Sequence, residues 1–262
     1  MSWFEAMMLG LVQGLTEFLP VSSSGHLQIG NALLNTGVEE NLTFAVAVHA
    51  ATVLSTLLAL RKEIYILIRD ALRIEWNNST RYLFKIALSM IPVAIVGLFF
   101  KDAVESLFSS GLVLTGACLL LTAVLLTFAS FARPRERKDI GFRDAIVIGL
   151  AQALAILPGL SRSGATISTG LLLGNQKESV ARFSFLMVLV PILGEAVLDL
   201  SRGGFSAASS GIPAFSLMVG FLTAFLSGYV ACRWMLRLVQ RGKLIYFALY
   251  CALLGMTTLI IL

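Results

Sequence analysis

Residues 13–26 read QGLTEFLPVSSSGH, and residues 152–164 read QALAILPGLSRSG. Each stretch is a polar interruption in an apolar chain. Each carries a proline that ends a helix, because proline lacks the backbone N–H and crowds the preceding turn. Each then offers serines and a glycine where another helix can begin. The likeness runs beyond the two loops: Glu5-Ala6, Gly10, Gln13, Pro20 and Gly25 align with Asp144-Ala145, Gly149, Gln152, Pro158 and Gly164. The offset of 139, one less at the proline, is about half the chain. Chance similarity between two apolar segments is the rival reading, and the retained places of Gly, Gln, Pro and Ser-Gly argue against it.

The residues around these loops set the environment. Of 262 residues, 57% are hydrophobic and 13% charged, with a mean hydropathy of +0.87. A soluble domain carries about 25% charge, so the chain reads as a polytopic membrane protein. The N-terminus lacks a basic segment and leads into the polar motif, unlike a cleavable signal. The net charge of +5 and pI near 9.3 are explained by basic cytoplasmic loops, so no nucleic-acid partner is expected. Cys118, Cys232 and Cys251 lie in apolar spans without metal or redox spacing and read as packing residues.

Six full-length spans are expected near 42–60, 82–100, 111–131, 179–198, 213–233 and 244–262. The pieces 2–18 and 26–36, and again 141–157 and 165–175, are too short to cross a bilayer singly. They read as re-entrant hairpins, tolerated at membrane depth only inside protein or beside a wet cavity. Residues 63–75 suit an interfacial helix. Arg61, Lys62, Arg69, Arg73, Arg81 and Lys85 mark one cytoplasmic loop. Arg133, Arg135, Arg137, Lys138 and Arg143 mark a second, and Arg233, Arg237, Arg241 and Lys243 a third. The alternate loops hold only Lys101 and Arg202.

The expected fold is therefore an all-α polytopic membrane protein with six transmembrane helices, two re-entrant helix hairpins and an inverted-topology repeat. Residues 1–131 form the first repeat, with hairpin 1–36, and 141–262 the second, with hairpin 141–175, in one membrane domain, 1–262. Three spans per half is an odd number, so the second half enters from the opposite side. The first hairpin enters from outside and the second from the cytoplasm, with both termini outside. Sites in such folds lie where the broken helices of the two halves meet.

Several residues there have the chemistry of a phosphate site. Gln13 and Glu17 share a helix face, and Gly10 and Gly14 offer a smooth surface for close helix approach. A carboxylate in the membrane is costly, so Glu17 is a functional candidate, with a wet membrane edge as the alternative. Ser22, Ser23 and Ser24 precede Gly25-His26, where a helix is expected to start. Helix starts present free N–H groups that suit phosphate. Serines there either cap the helix or act as nucleophile. Ser161, Ser163 and Gly164 repeat the pattern around Arg162, whose planar fork suits phosphate and whose charge offsets Glu17; a structural ion pair is the other reading. His26 is an acid–base candidate or a hydrogen-bonded structural histidine. His49, inside the first span, reads as packing or support. Glu195 and Asp199 read as interfacial anchors. No Walker loop, HExxH or glycine-rich dinucleotide turn occurs.

At these residues the chain resembles the bacitracin-resistance family of undecaprenyl-diphosphate phosphatases. The family pattern is two acidic residues four apart, then LPVSS-(S/T)-GH, and later PG-x-SRSG-(A/S)-T. The matching stretches are LPVSSSGH at 19–26 and PGLSRSGAT at 158–166, with FSFLMVLVP at 183–191 similar to the family's fourth span. The resemblance covers essentially the whole chain. It implies a multi-pass plasma-membrane enzyme that cleaves the terminal phosphate of a polyprenyl diphosphate, recycling the lipid carrier for envelope glycans. It implies a site toward the outer face and a divalent cation, Mg²⁺ or Ca²⁺. Carried over by position, Ser23 is nucleophile or phosphate ligand, His26 the acid–base partner, and Glu17 the essential carboxylate. Ser161 and Arg162 form the phosphate clamp, with Ser22, Ser24, Gly25, Ser163 and Gly164 around the substrate. Glu17 and Gln13 would face the cation. Gln13 departs from the pattern, since it stands where the family has its first acid. Either the cation rests on Glu17 and the substrate's phosphates, or another acid substitutes, or the activity is altered. A lipid-carrier translocase without hydrolysis is the rival function. The expected partners are the lipid and the membrane, and the sequence is compatible with a homo-oligomer.

Overall fold

A computed structural model describes residues 1–34, 42–73, 75–100, 107, 111–133, 139–201, 211–241 and 243–261, without the side chains of 34, 42, 195–201 and 240. Among these residues the secondary structure is helical throughout. The helices are α1 (Trp3–Phe18), α2 (Ser23–Leu34), α3 (Leu42–Ala59), α4 (Arg61–Ala71), α5 (Asn78–Phe99), α6 (Leu112–Phe131), α7 (Phe142–Leu154), α8 (Arg162–Leu172), α9 (Lys177–Ser201), α10 (Ala214–Gln240) and α11 (Leu244–Ile261).

Four of them, α5, α6, α10 and α11, are long and apolar enough to cross a membrane. Helix α3 joins them if it is counted with α4, from which it is bent by 76°. Helix α9 covers the remaining expected span with 25 residues. These helices turn large apolar side chains outward: Ile91, Ile95, Leu98 and Phe99 on α5, and Leu222, Leu226 and Val230 on α10, are exposed. Such a surface is suited to lipid, not water. Helix α4 buries none of its residues, exposes Tyr65, Ile66 and Ile68, and is pinned to the start of α5. There Asn77 Nδ2 donates to the Asp70 carbonyl at 2.9 Å and Ser79 Oγ to the Asp70 carboxylate at 3.1 Å. Glu195 and Asp199, and the loop charges Lys101, Arg135, Arg137, Lys138 and Arg202, lie outside the described residues or side chains.

The two hairpins repeat each other in detail at the spacing of 139. Helix α1 opens on a capping box, in which Ser2 N donates to Glu5 Oε2 at 2.9 Å and Glu5 N to Ser2 Oγ at 3.3 Å. In α7 the same place holds Asp144, whose Oδ2 accepts from Gly141 N at 3.0 Å. Gly10 lets α1 lie against the backbone of α10, because a Cβ there would strike the Gly220 carbonyl. Gly149 does the same for α7 against the Ser89 backbone of α5. Helices α6 and α11 cross at Gly116 and Gly255, again 139 apart; a Cβ on Gly116 would sit 3.2 Å from the Gly255 carbonyl, and one on Gly255 would sit 2.9 Å from the Gly116 carbonyl. These small residues permit the backbone approach on which helix association in lipid depends.

Candidate active site

The descending arm of the first hairpin ends where Leu19 leaves the helix and Pro20 follows. Ser22 then takes a φ of +70°, a left-handed backbone unusual for serine. Helix α2 begins at Ser23, so Ser23 and Ser24 stand in its first turn rather than before it, which sharpens the boundary expected at Gly25. Ser22 Oγ accepts from Gly25 N at 3.3 Å and lies 3.2 Å from Ser24 Oγ. The second hairpin copies this geometry. Ser161 caps α8, its Oγ accepts from Gly164 N at 3.0 Å, and it lies 3.3 Å from Ser163 Oγ. Ser23 and Arg162 therefore hold equivalent places, one bearing a hydroxyl and the other a guanidinium.

The two tips touch. Ser163 Oγ donates to the Leu19 carbonyl at 3.0 Å. A Cβ on Gly25 would stand 3.2 Å from Gly159 Cα, so glycine is what lets the loops meet. Gly159 has a φ of +88° and packs on the Thr115 backbone of α6. Thr122 of α6 steadies the second loop by accepting from Ser161 N at 3.0 Å.

Between the tips lies a cavity of ≈ 40 Å³ lined by Thr16, Glu17, Ser22, Ser23, Ser24, His49, Ala155, Leu160, Ser161, Arg162 and Ser163. Glu17 is nearly sealed, with its side chain 7% exposed. Its Oε2 accepts from Ser23 Oγ at 2.6 Å and from Gln13 Nε2 at 2.9 Å. Arg162 Nη1 is buried and has no hydrogen-bond partner. A smaller cavity shares Glu17, Arg162 and Ser163 and is otherwise lined by Phe18, Thr52, Thr56, Phe185, Val188 and Ile192. A larger cavity, ≈ 280 Å³, lies elsewhere, against Glu63, Tyr82, Asp139 and Arg182, and contains none of the expected site residues.

The structure thus gathers Glu17, Ser22, Ser23, Ser24, Ser161, Arg162 and Ser163 at one pocket, with Gly25 and Gly164 supplying the close approach and the capped N–H behind it. It does not bring His26 there. The His26 ring curls back so that Nδ1 meets the Ser22 carbonyl at 2.7 Å, and Nε2 meets the Tyr250 hydroxyl at 2.7 Å. The ring also stacks on Tyr250, with 5.6 Å between centroids. His49 lines the pocket instead, with Nε2 4.0 Å from Glu17 Oε2. The sequence reads His49 as packing or support and gives no reason to single out Tyr250. The only signal was that His49 is an ionisable group in an apolar span.

The same geometry tests the expected cation pair. A carboxylate oxygen only accepts, so the Gln13 group facing Glu17 is its N–H₂. The Gln13 carbonyl is therefore turned away from Glu17, buried and unpartnered. Gln13 is fully buried and does not line the pocket. The amide thus meets Glu17 with its donor and not with its ligating oxygen, and no cluster of three acidic, histidine or cysteine ligands occurs among the described residues. Gln13 and Glu17 do not fit a protein-built cation site.

The family profile described as bacitracin resistance protein BacA matches residues 6–257. The chain belongs to this family. A protein named undecaprenyl-diphosphatase from Bacteroides fragilis is 57% identical over 100% of this chain and 98% of its own length. One of the same name from Parabacteroides distasonis is 58% identical over 99% and 98%. A more distant namesake, from Methanobrevibacter smithii, is 37% identical over 97% of this chain and 96% of its own length. Membership of the BacA family agrees with the apolar helices in marking a multi-pass membrane protein.

Proposed function

We propose that this chain is a membrane phosphatase that hydrolyses undecaprenyl diphosphate, or a close polyprenyl relative, to the monophosphate and inorganic phosphate. The observation that carries the reading is the meeting of two helix starts at one pocket. There the Ser23 hydroxyl is bonded to the buried Glu17, and a buried Arg162 nitrogen lacks a partner. The names of the similar proteins support the lipid substrate. The monophosphate returns the lipid carrier to envelope-glycan synthesis.

In this reading Arg162 and the free N–H groups of the first turns of α2 and α8 hold the terminal phosphate. Ser23 Oγ attacks the terminal phosphorus in line, and its proton leaves along the 2.6 Å bond to Glu17. The bond from phosphorus to the bridging oxygen breaks, and polyprenyl phosphate departs with the electron pair. Water then attacks the phosphoserine, inorganic phosphate leaves, and Ser23 regains a proton. Arg162 stabilises the charge on the equatorial oxygens throughout. A divalent cation, Mg²⁺ or Ca²⁺, would be held by the substrate rather than by Gln13 and Glu17, and would supply charge neutralisation there. The lipid tail runs between helices into the bilayer.

The membrane arrangement belongs to the same proposal. Six spans and two re-entrant hairpins form two inverted halves, 1–131 and 141–262, in the plasma membrane, with the pocket toward the outer face and both termini outside. The repeated caps and the Gly116–Gly255 crossing at one spacing support it. The test is phosphate release from undecaprenyl diphosphate by purified protein in micelles, beside Ser23→Ala. The parent should release phosphate and Ser23→Ala should fall to background. Lipid flux in vesicles without phosphate release would sink the reading.

A further inference from the structure

We propose that His49 is the acid–base residue of the pocket, taking up the proton that Ser23 sheds through Glu17. The proposal rests on the phosphatase reading and adds a residue to it.

The tautomer of each histidine follows from its neighbours. His49 Nδ1 lies 2.8 Å from the Ala45 carbonyl, which can only accept, so Nδ1 carries a proton. In the neutral ring the lone pair is therefore on Nε2. That atom lies 4.0 Å from Glu17 Oε2 at the wall of the pocket, and the side chain is 26% exposed. His26 has the same tautomer, because its Nδ1 faces the Ser22 carbonyl. Its Nε2, however, is occupied by the Tyr250 hydroxyl. The chain has two histidines, and only His49 presents a free imidazole nitrogen to the pocket.

Histidine is the side chain most often used for acid–base chemistry, and the pocket geometry leaves its acceptor nitrogen open here. Glu17 stands between Ser23 and His49, 2.6 Å from one and 4.0 Å from the other. The proton passes from Ser23 Oγ to Glu17 as the Oγ–P bond forms, and then to His49 Nε2, leaving an imidazolium beside a carboxylate. When water cleaves the phosphoserine, its oxygen bonds to phosphorus and its protons leave on the inorganic phosphate, while the proton held at His49 returns to Ser23 Oγ as the Oγ–P bond breaks. Among the described side chains, the charged groups lining the pocket are Glu17 from α1 and Arg162 from α8, and none comes from α4, α9 or α10, the other helices packed on α3.

The experiment is the pH profile of phosphate release from undecaprenyl diphosphate by the purified chain, with His49→Gln, His49→Asn and His26→Gln beside it. Asn keeps a donor for the Ala45 carbonyl, and Gln sets an uncharged amide near the place of Nε2. The parent's profile should show an acid limb, since the acceptor must be neutral. Both His49 variants should be slower by about 10²-fold or more, should keep the parent KM and unfolding temperature, and should lose that acid limb. The limb should survive in His26→Gln whatever its rate. An acid limb retained in either folded His49 variant, or lost only in His26→Gln, overturns the assignment. A parent that releases no phosphate overturns the phosphatase reading itself.

Discussion

Replacing Gln13 with glutamate should turn the pocket into a cation site. Gln13 Nε2 donates to Glu17 Oε2 at 2.9 Å, in a position with no exposure to solvent. A hydrogen bond to a charged group contributes about 1.5–3 kcal/mol. In Gln13→Glu that bond becomes a contact between two carboxylates, whose repulsion at such distances is about 4 kcal/mol at an effective dielectric constant of 20. The variant escapes by binding a proton or a cation. Protonating a carboxyl with an ordinary value near 4.3 costs about 3.7 kcal/mol at pH 7 and about 1 kcal/mol at pH 5. Without divalent ions the variant should therefore be destabilised by up to about 4 kcal/mol at pH 7, and the deficit should shrink toward pH 5. Millimolar Mg²⁺ or Ca²⁺ should restore stability at pH 7 in the variant and leave the substrate-free parent unchanged. Thermal unfolding in detergent reads the stability, and calorimetric titration with Ca²⁺ reads the binding. A substrate-free parent that binds Ca²⁺ as tightly as the variant refutes the reasoning.

Two further outcomes follow from the packing and from the interfacial helix. Gly149→Ala should lower the unfolding temperature, with a loss of about 1–3 kcal/mol, because the added methyl collides with the Ser89 backbone. Gly97→Ala on α5 meets nothing within 4 Å and should gain up to about 1 kcal/mol in the same assay. The Asp70 carboxyl is held below its ordinary value by hydrogen bonds from Arg69 and then from Ser79. Its share in pinning α4 should be fully present above the ordinary range near pH 4 and be lost as pH falls through the lowered value. Hydrogen exchange at the end of α4, corrected for intrinsic rates, should thus stay flat from pH 7 to 5, and a rise across that window contradicts the Asp70 anchor.

Much of the architecture was legible because its cues are local. Pro20 marked the end of the first short helix, Ser22 and Ser161 announced the caps, and apolar length marked the spans, whereas the second short helix stops at Leu154, ahead of Pro158 and of the expected 157. The serines and Arg162 converge because both hairpins carry the same cap chemistry at one spacing. What escaped the sequence was set by packing between distant segments. Histidine 49 reaches Glu17 only because α3 lies against α1, and nothing in FAVAVHAATV hints at that neighbour. Tyr250 captures His26 from 224 positions away, so a histidine beside three serines in sequence does not line their pocket. At Gln13 the motif implied a cation ligand, but the amide's donor faces the carboxylate and reverses the chemistry of that position.

The central claim is that Arg162 and the Ser23–Glu17 pair act on a terminal phosphate at the meeting of the two hairpins. Its most direct test is the initial rate of phosphate release from undecaprenyl diphosphate by purified parent and Arg162→Ala, with unfolding temperatures measured alongside. The account predicts a loss of about 10²–10³-fold in a variant that still folds. A folded Arg162→Ala protein that works at the parent's rate contradicts it.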